Sequence, residues 1–300
     1  MAQLNKLHTT QFINLSKMIN NQQKNKLGCF VKMLPPNYLL SSLEEALSYD
    51  ANCFMFYTGS PQSSYRVPID NLKINEFKIA LKKAKININD LAIHCPYIMN
   101  LANDDVMKRN WAKILLSNEI KRANAIGINL VVLHPGNNRN KSLGCKYIAN
   151  AINEINENSM NVTICLETMA GKGNEIGSNF IEIKTIIDLI VDKNKIGVCL
   201  DTCHLNDSGI DVSNPDKILT IFDKTINLKY LKLLHINDSL NFIGSKKDRH
   251  ANIGKGTIGL EILKKWVHNP TLISIPKFLE TPYIDNKSVY KEEIKLLLSK

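Results

Sequence analysis

Six residues able to bind a metal stand at the ends of apolar runs: His94, His134, Glu167, Asp201, His235 and Glu280. His94 follows Leu91-Ala92-Ile93, His134 follows 130–133, and Glu167 follows 162–166. Asp201 follows 196–200, His235 follows 231–234, and Glu280 follows 273–279. The successive gaps are 40, 33, 34, 34 and 45 residues. A strand, a crossover helix and two loops need about 30 residues or more. The spacing therefore predicts one such residue per strand end on consecutive parallel strands. In a closed (β/α)8 barrel those ends meet at one face, where active sites lie. Three histidines, two glutamates and one aspartate converging there predict a site for more than one metal ion.

From Leu27 onward, strand and helix signals alternate. The candidate strands are 27–31, 51–57, 90–94, 130–134, 162–167, 196–201, 231–236 and 273–280. Helical segments are predicted near 37–49, 72–85, 105–126, 142–157, 179–192, 214–226, 257–267 and 287–298. Ser42-Leu43-Glu44-Glu45 has the shape of a capping box. Alternation favours a parallel sheet, and eight repeats favour closure. No low-complexity tract or linker divides the chain, so residues 27–300 are expected to form one α/β domain, a single barrel. Such a barrel needs about 250 residues. Residues 1–26 are expected to be a basic N-terminal extension. No Asp or Glu occurs in residues 1–43, and Phe12, Leu15, Met18 and Ile19 are spaced to line one side of a short helix.

The 38 basic and 28 acidic residues leave a net charge of +10. A basic surface fits a solvated exterior or a polyanionic partner, since lysines that neutralise phosphates supply affinity without sequence preference. Only five of the 38 are arginines, which argues against bidentate reading of base edges as the main strategy. The seven cysteines form no Cys-x-x-Cys pair and most lie in or beside apolar runs, as expected of reduced, packed thiols in an intracellular protein. Cys95 and Cys203 adjoin candidate ligands, but core packing is the expected role of both. No run approaches the ~20 apolar residues of a membrane span, and no apolar signal-peptide core is evident near the start. The expected location is the cytoplasm or the nucleoid, with an organelle or viral context left open.

The loops after the strands concentrate the chemistry. Taken singly, each histidine reads as a packing or hydrogen-bonding residue. Five of the seven, however, fall in these loops: 94, 134, 204, 235 and 250. Asp201-x-x-His204 and Asp248-x-His250 each place a carboxylate and an imidazole close enough to adjoin one metal. Imidazole with carboxylate suits zinc, and manganese or iron as substitutes. Nine such groups are too many for one tetrahedral ion and suffice for two or three. Gly171-Lys172-Gly173 is too short for a P-loop and lacks its Lys-Ser/Thr ending. It reads as a barrel loop whose backbone can approach substrate. Lys246, Lys247, Arg249 and Lys255 crowd the Asp248–His250 stretch, where they are expected to meet phosphate.

In type, order and spacing these motifs resemble the endonuclease IV family, metal-dependent apurinic/apyrimidinic endonucleases of DNA repair. The resemblance runs from about Leu27 to the C-terminus. It rests on His94-x-Pro-Tyr97, Leu133-His-Pro-Gly136, Leu166-Glu-Thr-Met-Ala-Gly-Lys-Gly173, Asp201-Thr-Cys-His204, Leu234-His-Ile-Asn-Asp-Ser239, Lys247-Asp-Arg-His250 and Glu280-Thr-Pro282. It implies a TIM barrel with three zinc ions. His94, His134 and Glu167 would hold one. Glu167 would bridge to a second, held also by Asp201, His235 and Glu280. His204, Asp248 and His250 would hold the third. Glu167, Asp201 and Glu280 would then be the catalytic carboxylates. The implied substrate is double-stranded DNA containing abasic sites, cut 5′ to the lesion by a monomer. The products would be a 3′-hydroxyl and a 5′-deoxyribose phosphate, with 3′-end cleaning as a related activity. Tyr97 matches the family's inserting tyrosine, and Gln62, Lys172, Lys246, Lys247 and Arg249 are the further expected DNA contacts.

Two departures stand out. The first strand usually ends Gly-x-His-Val in the family and here reads Gly28-Cys29-Phe30-Val31. Some members carry arginine at the position of Gln62. The alternative reading is a sugar isomerase of the xylose-isomerase type, which shares the barrel and a metal pair. It does not call for His204, Asp248 and His250, nor for a basic face. A non-catalytic DNA-binding or metal-storage protein would need no complete ligand set.

Overall fold

A computed structural model describes residues 25–155 and 161–299. Its centre is a closed barrel of eight parallel strands: β1 (Leu27–Phe30), β2 (Phe54–Phe56), β3 (Ala92–His94), β4 (Leu130–Leu133), β5 (Thr163–Glu167), β6 (Ile196–Asp201), β7 (Leu231–His235) and β10 (Lys277–Leu279). β10 pairs with both β7 and β1, which closes the ring. Two short strands, β8 (Asp238–Ser239) and β9 (His250–Ala251), form an antiparallel hairpin above the barrel. Residues 1–24, on which the proposed leader helix falls, lie outside the described residues.

Helices α1 (Leu39–Ser48), α2 (Ile74–Ala84), α3 (Val106–Ile126), α4 (Lys141–Ile155), α5 (Phe180–Leu189), α7 (Pro215–Thr225), α8 (Leu260–Val267) and α9 (Tyr290–Leu298) accompany the strands. One more, α6 (Thr202–Ser208), starts where β6 ends. Between strands and helices lies an outer apolar layer that includes Phe77, Phe222 and Trp266. Burying each such side chain contributes roughly 1.5–3 kcal/mol.

Three differences from the sequence reading have local causes. The strand expected over 273–280 is confined to Lys277–Leu279, because Pro270–Leu272 forms a 3-10 turn. The suggested capping box does not cap α1. Ser42 and Glu45 lie inside that helix, where the Ser42 hydroxyl donates to the Lys32 carbonyl and the Lys32 amide donates to Glu45. The hairpin β8–β9 and helix α6 are too short to show a periodicity.

The barrel interior is filled by Ala92, Leu130, Val132, Cys165, Cys199, Leu233 and Phe278, together with Cys53, Met55 and the partly buried Phe30. Successive side chains on a strand alternate faces. A residue two positions beyond an interior one therefore points into the mouth of the barrel. His94, His134, Glu167, Asp201, His235 and Glu280 each stand two positions after an interior residue. Phe30 and Tyr57 complete this layer on β1 and β2. Their rings lie 4.8 Å apart, and Tyr57 meets the His94 ring at 5.1 Å.

Candidate metal centre

Glu167 is the hub of the mouth. Its Oε2 lies 3.2 Å from both His94 Nε2 and His134 Nε2. Its Oε1 lies 3.0 Å from His235 Nδ1 and 3.2 Å from His204 Nδ1. Each oxygen thus faces a separate pair of imidazoles. His235 Nδ1 is also 3.0 Å from Glu280 Oε2 and 3.7 Å from Asp201 Oδ2. Ligand atoms of His94, His134 and Glu167 form one compact group, and those of Glu167, Asp201, His235 and Glu280 form a second. A third group joins Asp201, His204 and His250, and Asp248 belongs beside it: Asp248 Oδ1 is 3.0 Å from His204 Nε2 and 3.7 Å from His250 Nε2.

Local chain geometry explains this convergence. Asp201 is the N-cap of α6, and its Oδ1 accepts from the His204 amide at 2.8 Å. The Asp-x-x-His spacing is therefore a cap and its third helical residue, which turns both side chains toward the same site. The pairing of Ser239 with His250 brings the distant His250 over the barrel mouth. Asp248 has φ of 58°, in the left-handed region that Asp tolerates better than most residues. Buried Asp207 holds it there, accepting from the Asp248 amide at 2.9 Å. Gly136, after His134-Pro135, has φ of 116°, and a Cβ there would lie 2.3 Å from Asn100 Oδ1. Only glycine fits that turn.

The hydrogen bonds show what the cluster is built to receive. The Nδ1 atoms of His94, His204 and His250 lie 2.7, 2.8 and 3.2 Å from the carbonyl oxygens of Cys95, Thr168 and Glu280. A carbonyl only accepts, so each Nδ1 carries a hydrogen, which leaves each Nε2 as the ring atom able to take a cation or a proton. Such second contacts orient metal-binding histidines. A lone pair facing carboxylate oxygens at 3.0–3.2 Å is repulsive unless a cation or proton lies between them. His250 Nε2 is buried without a hydrogen-bond partner, as an atom awaiting a metal would be. The residues present therefore fit divalent cations.

The electrostatics agree. Burial opposes ionisation of Glu167, but His235 and His134 hold its carboxyl well below the ordinary range. Burial opposes ionisation of Glu280 as well, and His235 brings it down to about 2. Burial likewise opposes a charge on His204, yet Asp201 and Asp248 raise it well above the usual imidazole value. Removing such carboxylates from water costs several kcal/mol each. Packing does not require that cost. Cys199 lies beside Glu167 and His235, and burial pushes its thiol up to about 12, as suits a neutral interior side chain. All seven cysteines are free and buried.

Sequence reasoning assigned no role to several residues that hold the cluster. Asn237, fully buried, donates from Nδ2 to Asp201 Oδ2 at 2.7 Å and accepts the Glu280 amide at 2.8 Å. Asp238 accepts amides of residues 239, 254, 256, 258 and 259 and so ties down the chain after the hairpin. Both lie in a motif already noted, but nothing short of the fold shows which strand ends they tie.

Tyr97, His134, Lys172 and Asp248 line a cavity of about 290 Å³ at the mouth. Tyr97 is exposed. Lys172 Nζ lies 3.3 Å from Asp248 Oδ2, so this expected DNA contact is also the partner of a candidate ligand. Gln62, Lys246, Lys247 and Arg249 are exposed on the loops after β2 and β8 and do not line that cavity. Among the described residues no helix is long and apolar enough to cross a membrane.

Residues 43–300 match the family described as a xylose isomerase-like TIM barrel. The probable endonuclease 4 of Malacoplasma penetrans is 46% identical over 283 residues, covering 92% of this chain and 98% of that protein. That of Acholeplasma laidlawii is 45% identical, covering 90% and 94%. The endonuclease IV structure from Thermus thermophilus superposes with a TM-score of 0.79 at 26% identity, covering 91% of this chain and 97% of that one. A D-tagatose 3-epimerase-like protein shares the fold alone, with a TM-score of 0.65 at 19% identity, covering 90% and 94%. Close sequence relationship thus lies with nucleases, and isomerase-type barrels are related through the fold: the chain belongs to the endonuclease IV family.

Proposed function

We propose that this protein hydrolyses the phosphodiester 5′ to abasic sites in duplex DNA, using three zinc ions. The observation that carries this reading is the double-sided Glu167 carboxylate, each oxygen facing its own pair of imidazoles. His94, His134 and Glu167 would hold one ion. Glu167, Asp201, His235 and Glu280 would hold the second, and His204, Asp248 and His250 the third. When bound, such ions lower the pKa of water and relieve charge on the phosphoryl and leaving oxygens. The carbonyls of Cys95, Thr168 and Glu280 keep the three imidazoles in one tautomer, and Asn237 orients two carboxylates. Phe30 and Tyr57 wall the remaining side of the mouth with aromatic surface. The names of the 45–46% identical relatives support endonuclease activity. Every proposed ligand comes from one chain, which supports action as a monomer, and the same site would trim blocked 3′ ends. The test is a duplex with a single abasic site. Cleavage leaving a 3′-hydroxyl, stopped by a chelator and restored by zinc, is expected. An intact duplex nicked equally well would overturn the assignment of substrate.

Lesion recognition is assigned to Tyr97. An abasic site lacks a stacked base, so opening the duplex there costs less than elsewhere. The exposed Tyr97 ring, at the cavity mouth, is placed to fill the gap. Stacking of a base on an aromatic ring is worth about 1–3 kcal/mol. Tyr97→Ala is therefore expected to lower discrimination between abasic and intact duplex by about tenfold, with metal content unchanged. Equal discrimination in competition binding would return Tyr97 to packing within its own loop.

A further inference from the structure

The loop after β2 leaves the barrel mouth at Tyr57 and carries Gln62. Of residues 58–68 only Thr58 is buried, so apolar packing does little to fix the loop. Its outer part, from Ser64 to Ile69, roofs a cavity of about 460 Å³ against α3. A polar clasp holds it instead. Glu119, on α3 and 2% exposed, accepts from Thr58 Oγ1 at 2.6 Å with one oxygen and from Arg66 Nε at 2.6 Å with the other. Arg66 Nη1 turns back into the loop, 2.8 Å from the carbonyls of Ser63 and Tyr65. At the far end, Arg122 Nη1 donates to the Val67 carbonyl at 2.8 Å. Gly59 closes the near end: a Cβ there would lie 2.9 Å from Arg66 and from the Tyr65 carbonyl.

We propose that Glu119 is a positioning residue, which through Arg66 and Thr58 locks the loop carrying Gln62 in the shape that receives the duplex. This rests on the reading of the protein as an abasic-site nuclease. Glu119 bonds to Thr58 and Arg66 and to no candidate metal ligand. Its carboxylate is the one anion on α3 that both arms of the loop reach. A guanidinium suits this task because its donors, fixed in one plane, can grip a carboxylate and backbone carbonyls together. Lysine would keep the charge without that geometry. Without the clasp the loop samples other shapes, and apparent affinity falls in proportion to the fraction still competent.

The test compares wild type with Glu119→Gln, Arg66→Lys and Thr58→Val by hydrogen exchange and by cleavage of an abasic duplex. Glu119→Gln and Arg66→Lys are each expected to speed exchange of the amides of residues 59–67 about tenfold. KM should rise by about tenfold as the competent fraction falls. kcat should stay within about twofold, and zinc content should be unchanged. Thr58→Val, which leaves the ion pair intact, should shift KM by a smaller factor. The Glu119→Gln/Arg66→Lys double variant should show less than the product of the single effects, because both break one contact. A purely structural residue would lower the melting temperature without this split between KM and kcat. Folded Glu119→Gln protein with unchanged loop exchange would overturn the proposal. Should that variant fail to fold, Arg66→Lys decides by the same measurements. The exchange experiment needs no DNA, so the clasp stands or falls by it even if wild-type protein fails to cut abasic duplex.

Discussion

Glu167→Gln should leave a folded protein whose cleavage of abasic duplex is reduced by more than about a hundredfold, beyond the 10–100-fold typical of changes in residues that merely support metal ligands. The reason is geometric. Oε2 of Glu167 faces His94 and His134, while Oε1 faces His204 and His235. One neutral amide in its place removes the negative charge shared by two candidate ion sites and turns an NH2 donor toward one pair. Both sites should therefore weaken together, and bound metal should fall by about two ions per chain, the number of sites Glu167 is proposed to share. Glu280→Gln alters only one of them and should have a smaller effect on metal content. Retention of a tenth of the wild-type rate by the Glu167 variant would refute the bridging role.

Complete chelation should abolish cleavage and also destabilise the fold. Elemental analysis of the active protein is expected to show about three ions per chain, since nine ligands, with Glu167 shared, supply three or four protein ligands per ion and leave each a place for water or substrate. At ion concentrations a thousand times the dissociation constant, each bound ion adds about 4 kcal/mol of stability. Stripping them leaves buried Glu167 and Asp201 opposed only by imidazoles that must take up protons to compensate. The melting temperature should fall by roughly 10–20 °C and recover on adding zinc. Active protein containing one ion or none would sink the three-ion assignment, and an unchanged melting temperature would show that the cluster is not linked to folding.

The sequence by itself determined the barrel and the layer of side chains at its mouth. Strand alternation has period two, so an apolar run ending Cys165-Leu166-Glu167 or Cys199-Leu200-Asp201 already states that the last residue faces inward above the core. Repeating that pattern at near-constant intervals places the six candidate ligands on neighbouring strands. The Asp201-x-x-His204 spacing marked two neighbouring candidate ligands, but the helix cap that accounts for it is visible only in the fold, because α6 is too short to reveal itself by periodicity.

What only the tertiary structure decided depends on contacts between distant residues or on local geometry that several sequences could adopt. Phe30 could be noted as a missing histidine, but its tilted contact with the Tyr57 ring beside His94 requires the closed ring of strands. Lys172 reads as a phosphate contact in the sequence, and only the fold shows that its ammonium also lies 3.3 Å from Asp248, 76 residues away. Asn237 joins Asp201 to Glu280 across strand ends that no periodicity relates. Glu119 lies on a helix with a weak apolar pattern and resembled any solvated acid. It is buried because Thr58 and Arg66, 61 and 53 residues earlier, bring their donors to it. A buried charge is tolerated only where its partners converge, and the fold alone sets that convergence.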